Sequence, residues 1–357
     1  MTSPVSKASP LQILHAISSA QFAGVEQFVR RLAIRQAQDG HSVTVLGGPA
    51  EDMAGPLAQA GVAWGPAPST AALFTAVRRP MSASDVVNTH MTAADVAVVL
   101  ARTVSAVNPA IVSTRHFAQP RGSFGPGITY RVIDRQIDAE VSISRAVAAM
   151  VEVPSTVVYP GVEPAAPAVI TNRRNLVLVA QRLQPEKETH IAIRSFAASG
   201  IARLGWTLEI AGEGPERASL ETMAAQLGVA RSVRFLGFRR DLPTLMADAG
   251  LLVATAPFEH FGLTVLEAMS AGLPVVAADA GGHAEMLGTL DPRTRFAPGS
   301  VSSAAAHIRS LVQDPHAREL LGEAERDLQR REFTLRAQAG GTEAVYREAL
   351  TRRAVRR

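Results

Sequence analysis

The sequence predicts an α/β protein built as two doubly wound parallel-sheet domains that face a central cleft. Three observations point there. Short β-branched runs alternate with helical stretches, the alternation halts at a Pro-rich segment near the middle, and it then restarts. The length, 357 residues, suits two domains at roughly 100–200 residues each. Apolar residues make up 47% of the chain and charged residues 19%, enough to bury two cores and to exclude a disordered chain.

Along the chain, residues 11–17 (LQILHAI), 42–46 (SVTVL), 85–89 (DVVNT), 110–114 (AIVST), 139–143 (AEVSI) and 155–159 (STVVY) read as strands. Near-continuous apolar runs of this length are what a strand covered on both faces needs. Between the first two, Val25, Phe28, Val29 and Leu32 fall at helical spacing, with Gly40 past the helix end. Thr92 with Asp95 three residues on predicts a capping-box-like start for a helix over 93–104. Residues 160–174 (PGVEPAAPAVITNRR) hold three prolines in eight residues and no periodicity, which marks a linker. Strands resume at 175–180 (NLVLVA), 206–211 (WTLEIA), 233–236 (VRFL), 250–255 (GLLVAT) and 274–278 (PVVAA), and 302–354 reads as almost wholly helical. The expected division is therefore a domain over 1–160, a hinge at 161–174, a domain over 175–335, and a C-terminal helix with a basic tail over 336–357.

Composition removes several function classes. There is no cysteine, so disulfides, thiolate catalysis and Cys-based metal sites are excluded. The longest apolar runs fall far short of a bilayer span, and the first residues are too weak for a secretion signal. A cytoplasmic protein is expected. The net charge of +4 equals the four arginines of the final RRAVRR, so the rest of the chain is neutral. That tail reads as a solvated cluster, the alternative being peripheral contact with an anionic membrane at its inner face. No basic stripe calls for nucleic acid.

Four clusters fall at strand ends or helix starts. Ala23-Gly24-Val25-Glu26 opens the first helix, where Gly24 would let a phosphate approach backbone N–H groups; a plain tight turn is the bland reading. Thr114-Arg115-His116 closes the fourth strand, and His116 could donate a hydrogen bond or titrate near neutrality. Arg182 and Lys187 stand at a helix mouth, and two cations there oppose the helix dipole unless an anion lies between them. The richest stretch is PFEHFGLTVLEA: Glu259 in a loop, amides of Gly262-Leu263-Thr264 at a helix start, and Glu267 inside an apolar helix. A carboxylate there needs a partner with hydroxyls or positive charge, and an Arg of the same domain is the structural alternative. Gly281-Gly282-His283-Ala284-Glu285 repeats the helix-start pattern. Phosphate cradles, cations and carboxylates suited to hydroxyls fit a nucleoside diphosphate carrying a polyol. With no D-x-D and no His/carboxylate cluster at metal spacing, no divalent ion and no other cofactor is required; cations and helix ends would neutralise the diphosphate.

These residues resemble the GT-B-fold retaining glycosyltransferases of family 4, the glycosyl transferases group 1 set. Glu259 to Glu267 matches that family's E-x7-E motif within FEHFGLTVLEAMSAGLPVVAADAGGHAEML; RLQPEKETH, LEIAGEGPERASLE and VSISRAVAAM match other segments. The resemblance implies that Arg182 and Lys187 hold the diphosphate of the donor, a UDP- or GDP-linked sugar. It gives Glu267 the ribose, Glu259 the sugar hydroxyls, and the Gly262–Thr264 amides the β-phosphate. Gly24 takes the phosphate-loop position, and His116 lies near the transferring sugar. It also implies retention at the anomeric carbon and a setting in cell-envelope polysaccharide biosynthesis. Ala23 replaces the first Gly of the usual pair, and Glu188 replaces the Gly after the Lys. The acceptor would be a glycan, a lipid-linked sugar or a small molecule. Residues His90, Arg115, Arg121 and the 117–127 loop in the first domain are its candidate contacts. Two other readings are a nucleotide-sugar epimerase or hydrolase on the same fold, and a non-catalytic nucleotide-sugar-binding module.

Overall fold

In a computed structural model, residues 9–105, 107–119, 121, 127–165 and 173–355 are described. They divide into two compact units: Met1–Pro160 together with Leu335–Arg357, and Gly161–Thr334.

The first unit holds strands β1 (Gln12–Ile17), β2 (Ser42–Leu46), β3 (Ala63–Gly65), β4 (Val86–His90), β5 (Ala110–Arg115), β6 (Ala139–Ser142) and β7 (Thr156–Val157). All pair in parallel, in the order β3-β2-β1-β4-β5-β6-β7. Order reverses between β1 and β4, and such a switch point is where open α/β sheets bind ligands, outside the carboxyl ends of the strands. Every residue of β4 and β5 is buried, as expected for strands covered on both faces.

The second unit repeats the plan with β8 (Leu176–Ala180), β9 (Thr207–Ala211), β10 (Val233–Gly237), β11 (Leu251–Ala254), β12 (Val275–Ala278) and β13 (Arg295–Phe296). The parallel order is β10-β9-β8-β11-β12-β13, with its switch point between β8 and β11. Its core packs Val177, Val179 and Val253 of the sheet against Ile193 and Phe196 of one helix and Ile308 and Leu311 of another.

The expected strands coincide with observed ones to within two residues or so. Two were not anticipated, β3 (AWG) and β13 (RF), both outermost in their sheets. Strands of two or three residues leave no run to detect. The capping-box reading of Thr92 and Asp95 is overturned. The helix Thr92–Thr103 has Met91 at its N-cap with no side-chain cap. Asp95 instead accepts a 2.5 Å hydrogen bond from Thr89 and pairs with Arg121 at 3.0 Å.

The 160–174 segment is not simply a linker where it is described. Val162 is buried, its N–H donates to Phe333 O, and its carbonyl accepts from Gln329 Nε2. Arg173 reaches the carbonyls of Ala249 and Ala271 from the other end; residues 166–172 lie outside the described residues. The C-terminal helix Leu335–Val355 is part of the first unit. From it Tyr346, fully buried, donates to Asn88 Oδ1 at 2.7 Å, and Arg353 pairs with Asp138. That pairing places part of the basic tail in a structural contact. No described helix is long and apolar enough to cross a membrane.

Candidate functional site

In the second unit the carboxyl ends of β8 and β11 bring the predicted residues together. Gln181, the residue after β8, donates from Nε2 to Lys187 O at 3.1 Å and to Thr255 Oγ1 at 3.0 Å. Thr255, the residue after β11, donates to the same carbonyl at 2.7 Å. The short 3-10 turn Pro185–Lys187 is thereby fixed over the switch point. Neither Gln181 nor Thr255 was singled out from sequence; their only signal was the position directly after a buried strand.

Lys187 Nζ then meets Glu259 Oε2 at 2.6 Å, with both side chains about one-fifth exposed. Burial alone would raise the Glu259 carboxyl. The Lys187 charge and its hydrogen bond lead the effects that outweigh it and hold the carboxyl below its ordinary range. Arg182 is a different case. Its side chain is 67% exposed and, among the described residues, pairs with Glu186, four positions on, at 3.2 Å. The expectation that these two cations require an outside anion is therefore corrected, because the fold supplies a carboxylate to each.

Glu259 is held from below by its backbone. Its carbonyl accepts from Gly282 N at 2.7 Å. A Cβ on Gly281 would lie 2.1 Å from Glu259 O, and one on Gly282 would lie 2.2 Å from Phe261 Cα. The glycine pair thus serves close backbone approach. In the 281–285 helix start, the Gly282 amide is taken by Glu259 O and so is not open to a phosphate.

Gly262 caps the helix Leu263–Ser270 in the left-handed region, at φ 102°. A side chain there would be strained, and its Cβ would come within 2.8 Å of the His283 ring. The first-turn amides of Leu263 and Thr264 have no intrahelical acceptor and carry the positive end of the helix. Glu267 lies one turn on, half-buried rather than enclosed. His283 is buried, and burial keeps it neutral. Glu188, in place of a glycine, is itself left-handed at φ 48° and carries a buried Oε2 with no hydrogen-bond partner among the described residues.

In the first unit several expectations change. Arg121 is buried: Nε bonds Asp95 at 3.0 Å, Nη1 pairs with Asp134 and with Glu140 at 2.8 Å, and Nη2 donates to Ser113. Burial would lower its pKa, but three carboxylates reverse that and lock the charge in place. Arg121 is a structural cation, its buried charge met by three carboxylates of its own unit. Arg115 is similarly engaged, donating to Gln119 O at 2.8 Å and lying 4.0 Å from Glu140. His90 is fully buried between His15 and His116, so it cannot touch an acceptor either. Gly24 begins the helix Gly24–Gln38, but Glu26 supplies that N-terminus with its own carboxylate, accepting the Ala23 N–H at 2.9 Å. A built-in anion there opposes the phosphate-loop role. His116 stands just beyond β5 with 5% of its surface exposed. Most of the 117–127 loop lies outside the described residues.

Among the described residues, no group of three or more His, Asp or Glu is placed to hold a metal ion.

Two parallel-sheet, Rossmann-like units with these switch points define the fold class, and it recurs in solved glycosyltransferases. A structure of Anabaena Alr3699/HepE in complex with UDP and glucose superposes with TM-score 0.75 over 94% of this chain and 98% of that one, at 21% identity. A sucrose-phosphate synthase from Thermosynechococcus elongatus gives 0.72 over 95% and 99%, at 17% identity. Residues 165–328 match the family described as Glycosyl transferases group 1. A glycogen synthase of Mycobacterium tuberculosis is 34% identical over 172 residues, 48% of this chain and 42% of that protein. A 2-deoxystreptamine glucosyltransferase of Streptomyces kanamyceticus is 31% identical over 136 residues, 38% and 35% respectively. The chain thus spans less than half the length of these two relatives.

Proposed function

We propose that this protein is a group 1 glycosyltransferase of family 4, moving a hexose from a UDP- or GDP-linked sugar to a glycan, lipid-linked or small-molecule acceptor with retention. The observation that carries this is the Lys187–Glu259 pair set beside the first-turn amides of Leu263 and Thr264, which have no intrahelical acceptor, with Glu267 one turn on. A diphosphate has the charge to draw Lys187 away from Glu259 and to sit on the helix end. That exchange leaves the Glu259 carboxylate available to sugar hydroxyls, and Glu267 is spaced for a ribose. Arg182, exposed and weakly paired, has the freedom to close over the phosphates. His116, just beyond β5 in the first unit, is a further candidate for contact with a sugar hydroxyl. Lys187 and the helix end stabilise the departing diphosphate, so the reaction runs without a divalent ion.

Titration calorimetry of the full chain with UDP and with GDP tests the donor, followed by transfer assays of the matching nucleotide sugars against an acceptor series. Binding of either nucleotide that is lost in Lys187→Ala supports the reading. Absence of binding by both overturns it.

A further inference from the structure

His15, His90 and His116 form one hydrogen-bonded row inside the first unit. Gln36 Oε1 lies 2.7 Å from His15 Nε2, His15 Nδ1 lies 3.0 Å from His90 Nε2, and His90 Nδ1 lies 3.0 Å from His116 Nε2. They come from β1, from the last residue of β4, and from the residue after β5, so the row crosses the switch point of the sheet. His15 and His90 have no exposed surface. Burial, the largest effect on each ring, brings His15 down to about 4 and His116 to about 3, with His90 also well below its usual value. All three are therefore neutral near pH 7, and each has one N–H and one lone pair to offer.

A row of neutral imidazoles can only point one way or the other. Its direction is set at the far end, by a backbone group. Asn88 Nδ2 donates to Val112 O at 2.9 Å, which turns Asn88 Oδ1 toward Tyr346, and the Tyr346 hydroxyl spends its proton there at 2.7 Å. The phenol oxygen is left with lone pairs. Gln36 is the side chain that opposes the burial-raised pKa of the Tyr346 phenol, as an amide N–H near its oxygen would, and Gln36 Oε1 is the atom at His15, so Gln36 presents its carbonyl to His15. His15 must then carry its proton on Nε2 and accept on Nδ1. His90 donates from Nε2 and accepts on Nδ1. His116 donates from Nε2, leaving Nδ1 without a proton. That nitrogen has no hydrogen-bond partner among the described residues, and His116 is the one member of the row with surface exposed.

We propose that Gln36, His15 and His90 are positioning residues that fix His116 as the Nε2–H tautomer, so that its Nδ1 accepts a hydrogen bond from a sugar hydroxyl. A second observation marks the same place. Met91, which follows His90, is held at φ 73° and ψ 155°, a region that residues other than glycine enter at a cost and that clusters at functional sites. The hydroxyl as ligand rests on the glycosyltransferase reading above; the tautomer does not.

Selective 15N labelling of imidazoles and long-range proton–nitrogen NMR on the full chain at neutral pH read the tautomers directly, with His116→Asn used for assignment. All three histidines should be Nε2–H. Gln36→Glu reverses the row whichever protonation state the new carboxyl takes. A neutral carboxyl donates to His15 Nε2, and a carboxylate draws a second proton onto His15; in both cases His15 Nδ1 becomes a donor. His116 should then switch to Nδ1–H, and turnover should fall about tenfold or more, while UDP or GDP affinity stays unchanged. Gln36→Met should give a tautomer mixture. A merely structural Gln36 would shift the melting temperature and leave the His116 tautomer alone. His116 found as Nδ1–H in the unaltered protein, or insensitive to both Gln36 substitutions, overturns the proposal. Failure of nucleotide binding would instead overturn the donor reading and leave this NMR result to decide the relay.

Discussion

Lys187 Nζ and Glu259 Oε2, 72 residues apart in sequence, meet at 2.6 Å where the loops after β8 and β11 converge. The pair makes the resting site nearly neutral and gives an incoming diphosphate one internal competitor. Neither partner is stranded as a lone buried charge, which would cost several kcal/mol.

Lys187→Ala should weaken nucleoside diphosphate binding about 10- to 100-fold, from loss of a charge-assisted contact of roughly 1.5–3 kcal/mol. Arg182→Ala should cost less, about fivefold, because its side chain is 67% exposed and such pairs contribute roughly 1 kcal/mol or under. Calorimetry with UDP and GDP separates the two. An equal or larger loss in Arg182→Ala would contradict the ranking.

The two glutamates should separate kinetically. Glu267→Gln removes binding that acts equally before and during reaction, so donor KM should rise with kcat nearly intact. Glu259→Gln should lower kcat about 100-fold, or ~2.7 kcal/mol, since its interaction tracks the changing charge of the sugar. Normal turnover in Glu259→Gln would refute its role. A lowered melting temperature with normal kinetics in Glu267→Gln would make that residue structural.

Chelation should leave the rate within about threefold, because on the proposed reading the diphosphate is met by a lysine and a helix end rather than by a metal ion. Initial rates with and without EDTA check this. A collapse rescued by Mg²⁺ or Mn²⁺ would show a metal-dependent reaction.

Glu188→Gly should raise stability by roughly 1 kcal/mol. It relieves a left-handed conformation that side chains enter at a cost of about 1–2 kcal/mol, less the entropy glycine adds to the unfolded chain. It also removes a buried, unpartnered carboxylate oxygen. Melting curves should move upward with no loss of nucleotide affinity.

Stability should fall as pH rises from the ordinary carboxylate range, through Glu325. Burial raises this fully buried carboxyl well above its usual value, and only Val275 N–H, at 3.1 Å, opposes the rise. The folded state therefore holds its proton longer than the unfolded state, so stabilisation is complete below the unfolded pKa and declines as pH climbs toward the folded one. Glu325→Gln keeps the hydrogen bond and should flatten that decline, seen as a higher melting temperature at pH 8 than the parent protein. An unchanged pH profile would refute it.

What the sequence determined by itself was local or motif-borne. Short β-branched runs such as LVLVA and AIVST alternate with helical stretches, so both doubly wound halves were legible. The FEHFGLTVLEA spacing alone put Glu259 in a loop, Gly262 at a helix start and Glu267 one turn inside it. What tertiary structure decided were the partners, because a charge or an imidazole finds its partner across strands that sequence cannot order. Arg121 became a buried cation among Asp95, Asp134 and Glu140; Glu26 occupied the helix end beside Gly24; Lys187 was neutralised by Glu259. His15 and His116 lie 101 residues apart in number, yet β1, β4 and β5 are neighbours in the sheet, which makes one row of three rings. The C-terminal helix, set by the sequence after the second domain as a separate segment over 336–357, belongs to the first unit and puts Tyr346 on Asn88, 258 positions earlier. The physical reason is common to all of these: apolar periodicity is written in adjacent residues, whereas buried polar groups are satisfied by whatever the completed fold brings within 3 Å or so.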